Sequence, residues 1–367
     1  MLARVLSGAH MSRNMIEANA KIFSRLAEAA REVLSQELID VKRAIATDAE
    51  GKRWLKNVEI SSNPLLSIGL NSRFAIGSLD GERYLLSIGI AIESPPADFE
   101  LIEINSGAFT AFVAEMDVGF IRTRDFAEKI REYVFYPTSE SVERIDVEVV
   151  RPFFAPLQLF RVHRDSPLNC DRVSPYRTAL AAVLGAPSVI GLPWAGATLE
   201  RLDAMARNPH ERVPFHVLLR AVTETRPDAA FLAVYRCVEQ LFPVPKIAEL
   251  SADLKLDRAA MEVAASIERH LSWRRREDDA IAYLFEQISG ETINRLATLT
   301  RNGHAEDVSP RSVSRRVYEL RNQCVHYRPI HGADLDISVN WMEISDTLLE
   351  GVEQLYAAYN TAFPVEA

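Results

Sequence analysis

The chain has 367 residues, 48% of them hydrophobic and 25% charged, a composition that suits two or three globular domains with real apolar cores. Its formal net charge is −9 and its sequence pI about 5.5, which argues against a dedicated, high-affinity binder of bulk nucleic acid but leaves room for a local basic cleft. Three widely spaced cysteines, Cys170, Cys237 and Cys324, predict a reducing cytoplasm rather than a disulfide framework.

Residues 12 to about 46 predict one helix, because Ile16, Phe23, Leu26, Val33, Leu34, Leu38, Val41 and Ile45 recur near the helical period. Gly51 is read as a break, and strands are expected from about residue 57. Leu86, Ile88, Ile90 and Ile92 alternate with small or polar residues, the pattern of a half-buried strand. Asp80-Gly81, between Phe74–Leu79 and Arg83–Ser94, predicts a tight hairpin. Strands are expected at Phe99–Asn105, at Ala111–Val118, around Ile145, Val147 and Val149, and at Leu157–Val162, with a short helix at Arg124–Phe135.

Proline and polar residues from Asp165 to Pro175 predict a linker or exposed loop. Helices are expected at Tyr176–Leu184, Leu199–Ala206 and Pro214–Thr223, with VIGLPWAGA between the first two as a strand or buried loop. From residue 228 the chain reads as helix: Phe231–Phe242, Arg258–His270, Glu277–Ser289, Thr292–Thr300, Ser312–Tyr327 and Trp341–Ala362. The last carries Trp341, Ile344, Leu348, Val352, Leu355 and Tyr359 on one stripe. The expected fold class is α+β: a β-rich α+β domain over 1–165, a helical linker region over 166–227 and an all-helical bundle over 228–367.

Chemistry concentrates in YELRNQCVHYR, Tyr318–Arg328. Val313, Val317, Leu320, Cys324 and Tyr327 form one apolar stripe. Glu319, Asn322 and His326 share another face, and Arg321 lies on its flank. At about 100° per residue, Arg321 and His326 stand roughly 140° apart around the axis. A long arginine side chain or a second copy of the helix closes that gap. Glu239 sits among Tyr235, Val238 and Phe242 on an otherwise apolar helix, so it is either a solvated glutamate or the partner of a cation such as Arg321 or His326. Arg315 and Arg316 read first as an ordinary charged flank and second, with Arg328, as candidate RNA-backbone contacts. Glu277 is read with Asp278 and Asp279 as acids suited to opening a helix.

The Arg321-to-His326 spacing resembles the Arg-x-x-x-x-His motif of the HEPN superfamily. Tyr318-Glu319-Leu320 and Val325 resemble its usual context, and Phe231–Phe242 resembles the opening helix of such domains. The resemblance covers about residues 228 to 365 and implies a HEPN-like helical domain that cuts RNA without a metal or other cofactor and dimerises through the motif helix. His326 is then the general acid or base, Arg321 the transition-state stabiliser, and Asn322 a positioning residue, with Glu239 a candidate orienting carboxylate. Many proteins of this kind are toxins or effectors in bacterial defence against phage. The resemblance therefore also implies RNA as substrate, and an antitoxin or phage-derived trigger as a further partner. A HEPN-like domain that only dimerises, as a scaffold coupling the N-terminal domain to a partner, is the alternative.

Other chemistries find little support. Glycine is scarce, at 15 residues, and there is no Gly-rich phosphate loop, Gly-x-Ser-x-Gly or His-Glu-x-x-His. No metal-ligand spacing joins the cysteines and the eight histidines. No apolar run reaches the length of a membrane span, and MLARVLSGAHM is too weakly apolar for a signal peptide, so a cytoplasmic protein is expected.

Overall fold

A computed structural model describes residues 13–35, 43–61, 66–68, 72–116, 118–120, 122–135, 143–169, 174–208, 212–271, 277–300, 307–325 and 339–364. The protein is α+β. The chain divides into two compact units, one of Met1–Asp171 with Gly185–Ser188, the other of Arg172–Leu184 with Val189–Ala367.

The first unit runs α1 (Met15–Leu34), β1 (Arg43–Ile45), α2 (Ala49–Asn57), β2 (Glu59–Ile60), β3 (Leu66–Ile68), β4 (Ser72–Leu79), β5 (Glu82–Ile88), β6 (Phe99–Ile102), α3 (Ser106–Glu115), α4 (Arg124–Lys129), β7 (Glu143–Ile145), α5 (Val147–Val150) and β8 (Leu157–Val162). β4 and β5 form the expected hairpin. Its turn residues Asp80 and Gly81 have φ of 52° and 77°, the left-handed pair that a type I′ turn requires. The antiparallel sheet has the order β2-β4-β5-β8-β6, with β3 also paired to β4.

β5 is buried on both faces rather than one. Tyr84, Leu86 and Ile88 enter the helical core with Leu26, Phe109 and Phe112. Leu85 and Ser87 between them are buried too, and the strand ends at Ile88, short of Ile90 and Ile92.

The expected helix over 12–46 is shorter. α1 is capped by Asn14 and stops at Ser35, whose φ is 52°, while Arg43–Ile45 is a strand paired in parallel with β7. Asn19 of α1 accepts from the Ile45 amide at 2.8 Å, so the helix and strand are tied by one buried side chain.

Gly51 does not break the chain but lies inside α2, where its amide donates to the Asp48 cap at 2.7 Å. A Cβ on Gly107 of α3 would stand 1.7 Å from the Gly51 carbonyl oxygen. These two glycines let α2 and α3 meet backbone to backbone. Ala111–Val118, expected as a strand, is helix α3 as far as Glu115, and Gly107 through Ala114 are all buried, so no polar face marks the period. Val147 and Val149 lie in the short helix α5 under an Asp146 cap rather than in a strand.

The second unit contains α6 (Pro175–Leu184), α7 (Gly196–Arg207), α8 (Phe215–Thr223), α9 (Pro227–Gln240), α10 (Val244–Asp253), α11 (Ala260–Leu271), α12 (Glu277–Phe285), α13 (Gly290–Leu299), α14 (Pro310–Val325) and α15 (Trp341–Ala358), and no strand among the described residues. VIGLPWAGA is a loop leading into α7. α10 was not foreseen; it starts with Pro245 in its first turn, where proline's missing N–H costs nothing.

α6 to α8, expected as a linker region, belong to this unit. Arg177 of α6 lies 4.5 Å over the Phe215 ring of α8. The core centres on α9 against α15. Phe231 meets Trp341 at 5.2 Å, and the Tyr356 hydroxyl donates to the Cys237 carbonyl at 3.0 Å. The α15 stripe is buried from Trp341 to Leu355, with Tyr356 joining it.

Candidate functional site

α14 carries the motif. Asp307 and Ser309 prepare its start, the Ser309 amide donating to Asp307 Oδ1 at 2.8 Å and the Ser312 amide to Ser309 Oγ at 3.3 Å. Val313, Ser314, Val317 and Leu320 are buried, as the stripe predicts. Cys324 is half-buried, and its thiol is pushed up to about 12, first by burial and then by the Asp228 charge. A thiol held neutral in this way is no nucleophile.

Arg321 is drawn to α9. Its Nε and Nη2 donate to Glu239 Oε1 at 3.1 and 2.9 Å, and its Nη1 donates to Asn322 Oδ1 at 3.0 Å. Glu277, the first residue of α12, brings Oε2 to 3.9 Å from Nη1, and the Tyr318 hydroxyl donates to that same oxygen at 3.2 Å.

The Arg321 side chain is 18% exposed. Burial works against its charge, but the hydrogen bond and charge of Glu239, with Glu277 behind, outweigh that and raise its pKa above the ordinary value. Tyr235, one turn before Glu239 on α9, is fully buried, and its hydroxyl has no hydrogen-bond partner among the described residues. Burial and then the Glu239 charge hold its phenol well above the ordinary range.

Arg321, Asn322 and Glu239 therefore come together, and Glu239 is the partner of a cation rather than a solvated side chain. His326, Arg328 and Tyr327 lie outside the described residues. Arg315 is an exposed residue paired with Glu319 at 3.1 Å, the arrangement of a charged flank. Arg316 donates from Nη2 to the Asp307 carbonyl at 3.1 Å, while its Nε and Nη1 are buried without a partner among the described residues.

Three members of the cluster carry no functional assignment from sequence. Tyr318 precedes Arg321 by three residues on one helix, a spacing that could have flagged it. Tyr235 precedes Glu239 by four on α9, so the same argument applies. Glu277 carries no local signal at all.

The first unit has a shallow cleft of about 370 Å³ lined by Arg53, Trp54, Asp80, Glu82, Tyr84 and Arg161 among others. Its arginines are satisfied by carboxylates: Arg53 by Glu50 and Asp80, Arg161 by Glu100, and Arg164 by Glu82. Tyr84 donates to Glu82 at 2.9 Å, and its phenol is pushed up to about 12 by burial and then by that carboxylate.

Among the described residues, no three His, Cys, Asp or Glu side chains are grouped to hold a metal ion, and no helix is long and apolar enough to cross a membrane. No family model matches the chain, and neither the curated proteins nor the solved structures contain a match to it.

Proposed function

We propose that the protein is a metal-independent endoribonuclease whose active centre is Arg321, Asn322 and His326 of the C-terminal unit. The observation that carries the reading is the fixed guanidinium of Arg321. Glu239 holds one edge of it against α9, and Asn322 stands beside it on the helix that leads into His326.

RNA supplies its own nucleophile, the 2′-hydroxyl next to the scissile phosphate. The protein has to take that proton, stabilise the added charge on phosphorus and protonate the leaving 5′-oxygen. Histidine titrates near neutral pH and moves protons. Arginine stays charged and presents paired donors to phosphate oxygens. The products are a 2′,3′-cyclic phosphate and a 5′-hydroxyl.

The five-residue spacing of Arg321 and His326, which helical periodicity in the sequence would set roughly 140° apart, favours a cleft shared by two copies of the motif across a two-fold axis, so we infer a homodimer. The first unit, which among its described residues is richer in helix than in strand rather than β-rich as expected, is then a sensor or regulatory module. A role as a triggered effector or antitoxin-silenced toxin in defence against phage follows from the family resemblance alone.

The test is purified protein against total RNA, with and without EDTA, beside His326→Ala. Cleavage that resists EDTA and is lost in the variant supports the reading. A variant that cuts as fast as wild type, or a reaction that EDTA stops, overturns it.

One observation favours a second reading, a dimerising scaffold: Arg321 is already engaged by Glu239 and faces a second carboxylate, Glu277, as a purely structural arginine would be. Expression in a host separates the two. A scaffold is harmless, whereas an active nuclease arrests growth at once or upon its trigger.

A further inference from the structure

Arg321 meets its two carboxylates on unequal terms. Glu239 takes the Nε–Nη2 edge with two hydrogen bonds to one oxygen, at 3.1 and 2.9 Å. Glu277 approaches the Nη1 end only to 3.9 Å, an ion-pair distance beyond any hydrogen bond. The Glu239 side chain is 28% exposed and that of Glu277 44%. Glu239 lies within α9, anchored by a buried helix face, whereas Glu277 opens α12.

Among the described residues, one hydroxyl, that of Tyr318, donates to the Glu277 oxygen that stands near the guanidinium, at 3.2 Å. One carboxylate thus fixes the arginine, and the other rests, from the more exposed side, against the Nη1 end, which also donates to Asn322 Oδ1 at 3.0 Å. A carboxylate oxygen in that position stands where an arriving phosphate oxygen would bind. An anion added to this cation meets the charge of both carboxylates, and the one held more loosely, Glu277, gives way.

We propose that Glu277 is the resident anion of the Arg321 site, steadied by Tyr318, and that a phosphodiester group binds Arg321 by displacing it. The proposal rests on the ribonuclease reading only for the source of the phosphate, an RNA strand. Glu277 acts through Arg321 and sets how tightly the site takes its anion; Glu239 keeps the guanidinium in place throughout.

The experiment measures binding without cleavage. The probe is a short, fluorescein-labelled single-stranded RNA methylated at every 2′-oxygen, which cannot be cut by 2′-hydroxyl attack, and fluorescence anisotropy reports its affinity. Glu277→Gln keeps the shape of the side chain and removes its charge. It is expected to tighten binding roughly two- to fivefold, the scale of a partly exposed ion pair. Asp278→Asn removes the same charge one residue away on an exposed side chain and is expected to change affinity less than twofold. The Glu277→Gln gain should vanish on an Arg321→Ala background.

Equal affinities for wild type and Glu277→Gln overturn the proposal, as does an equal gain in Asp278→Asn or a gain that survives Arg321→Ala. Its failure is separable from that of the ribonuclease reading. If Glu277→Gln tightens binding through Arg321 while unmethylated RNA stays intact, the displaced anion stands and the cleavage reading falls. If wild type cuts RNA and Glu277→Gln binds no tighter, the reverse holds.

Discussion

Arg321 of α14 donates to Glu239 of α9 at 2.9 Å across 82 positions of sequence. The pair ties together two helices that also pack against each other, and it holds the polar flank of the motif helix to α9. It also explains how a carboxylate is tolerated on the largely buried α9, where an unpaired charge would be costly. One turn before Glu239 on α9, the Tyr235 hydroxyl is buried with no hydrogen-bond partner among the described residues.

Tyr235→Phe is therefore expected to leave stability unchanged or raise it, by up to about 1 kcal/mol, since it deletes a buried polar atom without breaking a hydrogen bond. The denaturation midpoint in urea checks this. A loss of more than about 1 kcal/mol would mean that the hydroxyl has a partner after all. If the hydroxyl instead steadies the Glu239–Arg321 pair during reaction, the variant will lose rate at unchanged stability, and the two measurements distinguish the cases.

Gly107→Ala is expected to be among the most damaging changes in the first unit. Its new methyl would lie 1.7 Å from the Gly51 carbonyl oxygen and 2.6 Å from the Gly51 Cα. Backbone cannot swing aside as a side chain does, so α2 and α3 must separate, at a cost of about 1–3 kcal/mol or more. Gly290→Ala is the contrasting case. It lies in the first turn of α13, and its Cβ would meet nothing within 4 Å, so the smaller unfolded-state entropy of alanine should stabilise by about 0.4–1 kcal/mol. Urea denaturation of both variants measures the pair.

These glycines also show what the sequence conceals. Gly51 reads as a break because glycine is a poor helix former, yet it is needed inside α2 for the close approach of Gly107, a contact that no local pattern announces. α3 was misread because a helix buried all round has no polar face and its period disappears. Ile45 fell on the helical period of α1 by coincidence, and a strand follows instead. Where one face stays wet the pattern was readable, as in α14 and α15, and Asp80-Gly81 announced its hairpin through local backbone chemistry alone. At the candidate site, Glu239 signalled that it needed a cation, because it stood on an apolar helix. Its partner and the approach of Glu277 depend on tertiary packing.

Asp346 of α15 gives a pH-dependent test. It is half-buried and accepts from the Thr198 hydroxyl at 2.8 Å. Burial raises its pKa above the ordinary 3.8, with the Thr198 hydrogen bond opposing. The folded state thus binds the proton more tightly than the unfolded chain, and stability contributed by this group falls as pH rises from 3.8 through the folded value. Asp346→Asn, still able to accept from Thr198, is expected to be more stable than wild type at pH 7, with the difference closing as pH falls towards 3.8. A difference that stays constant with pH would mean that folding does not shift this group, and one that grows on acidification would mean a shift of opposite sign.

The last prediction separates what Arg321 does for the fold from what it does for RNA. Arg321→Ala leaves Glu239 partly buried without its cation and is expected to cost about 1–3 kcal/mol. Loss of activity in that variant alone would therefore be ambiguous. Glu239→Leu in the same chain removes the stranded charge. Replacing both members of such a pair with apolar side chains is often neutral or better, so the double variant should regain most of the lost stability. Catalysis should not return with it, because a transition-state donor is still missing, and such a loss costs about 10²–10³ in rate. Denaturation midpoints and RNA-cleavage rates across the four proteins of the cycle give both quantities. If cleavage recovers together with stability, Arg321 serves the fold and the charge on phosphorus is stabilised elsewhere. If stability recovers and cleavage does not, the guanidinium is part of the chemistry, and the Glu239 contact is what holds it in position.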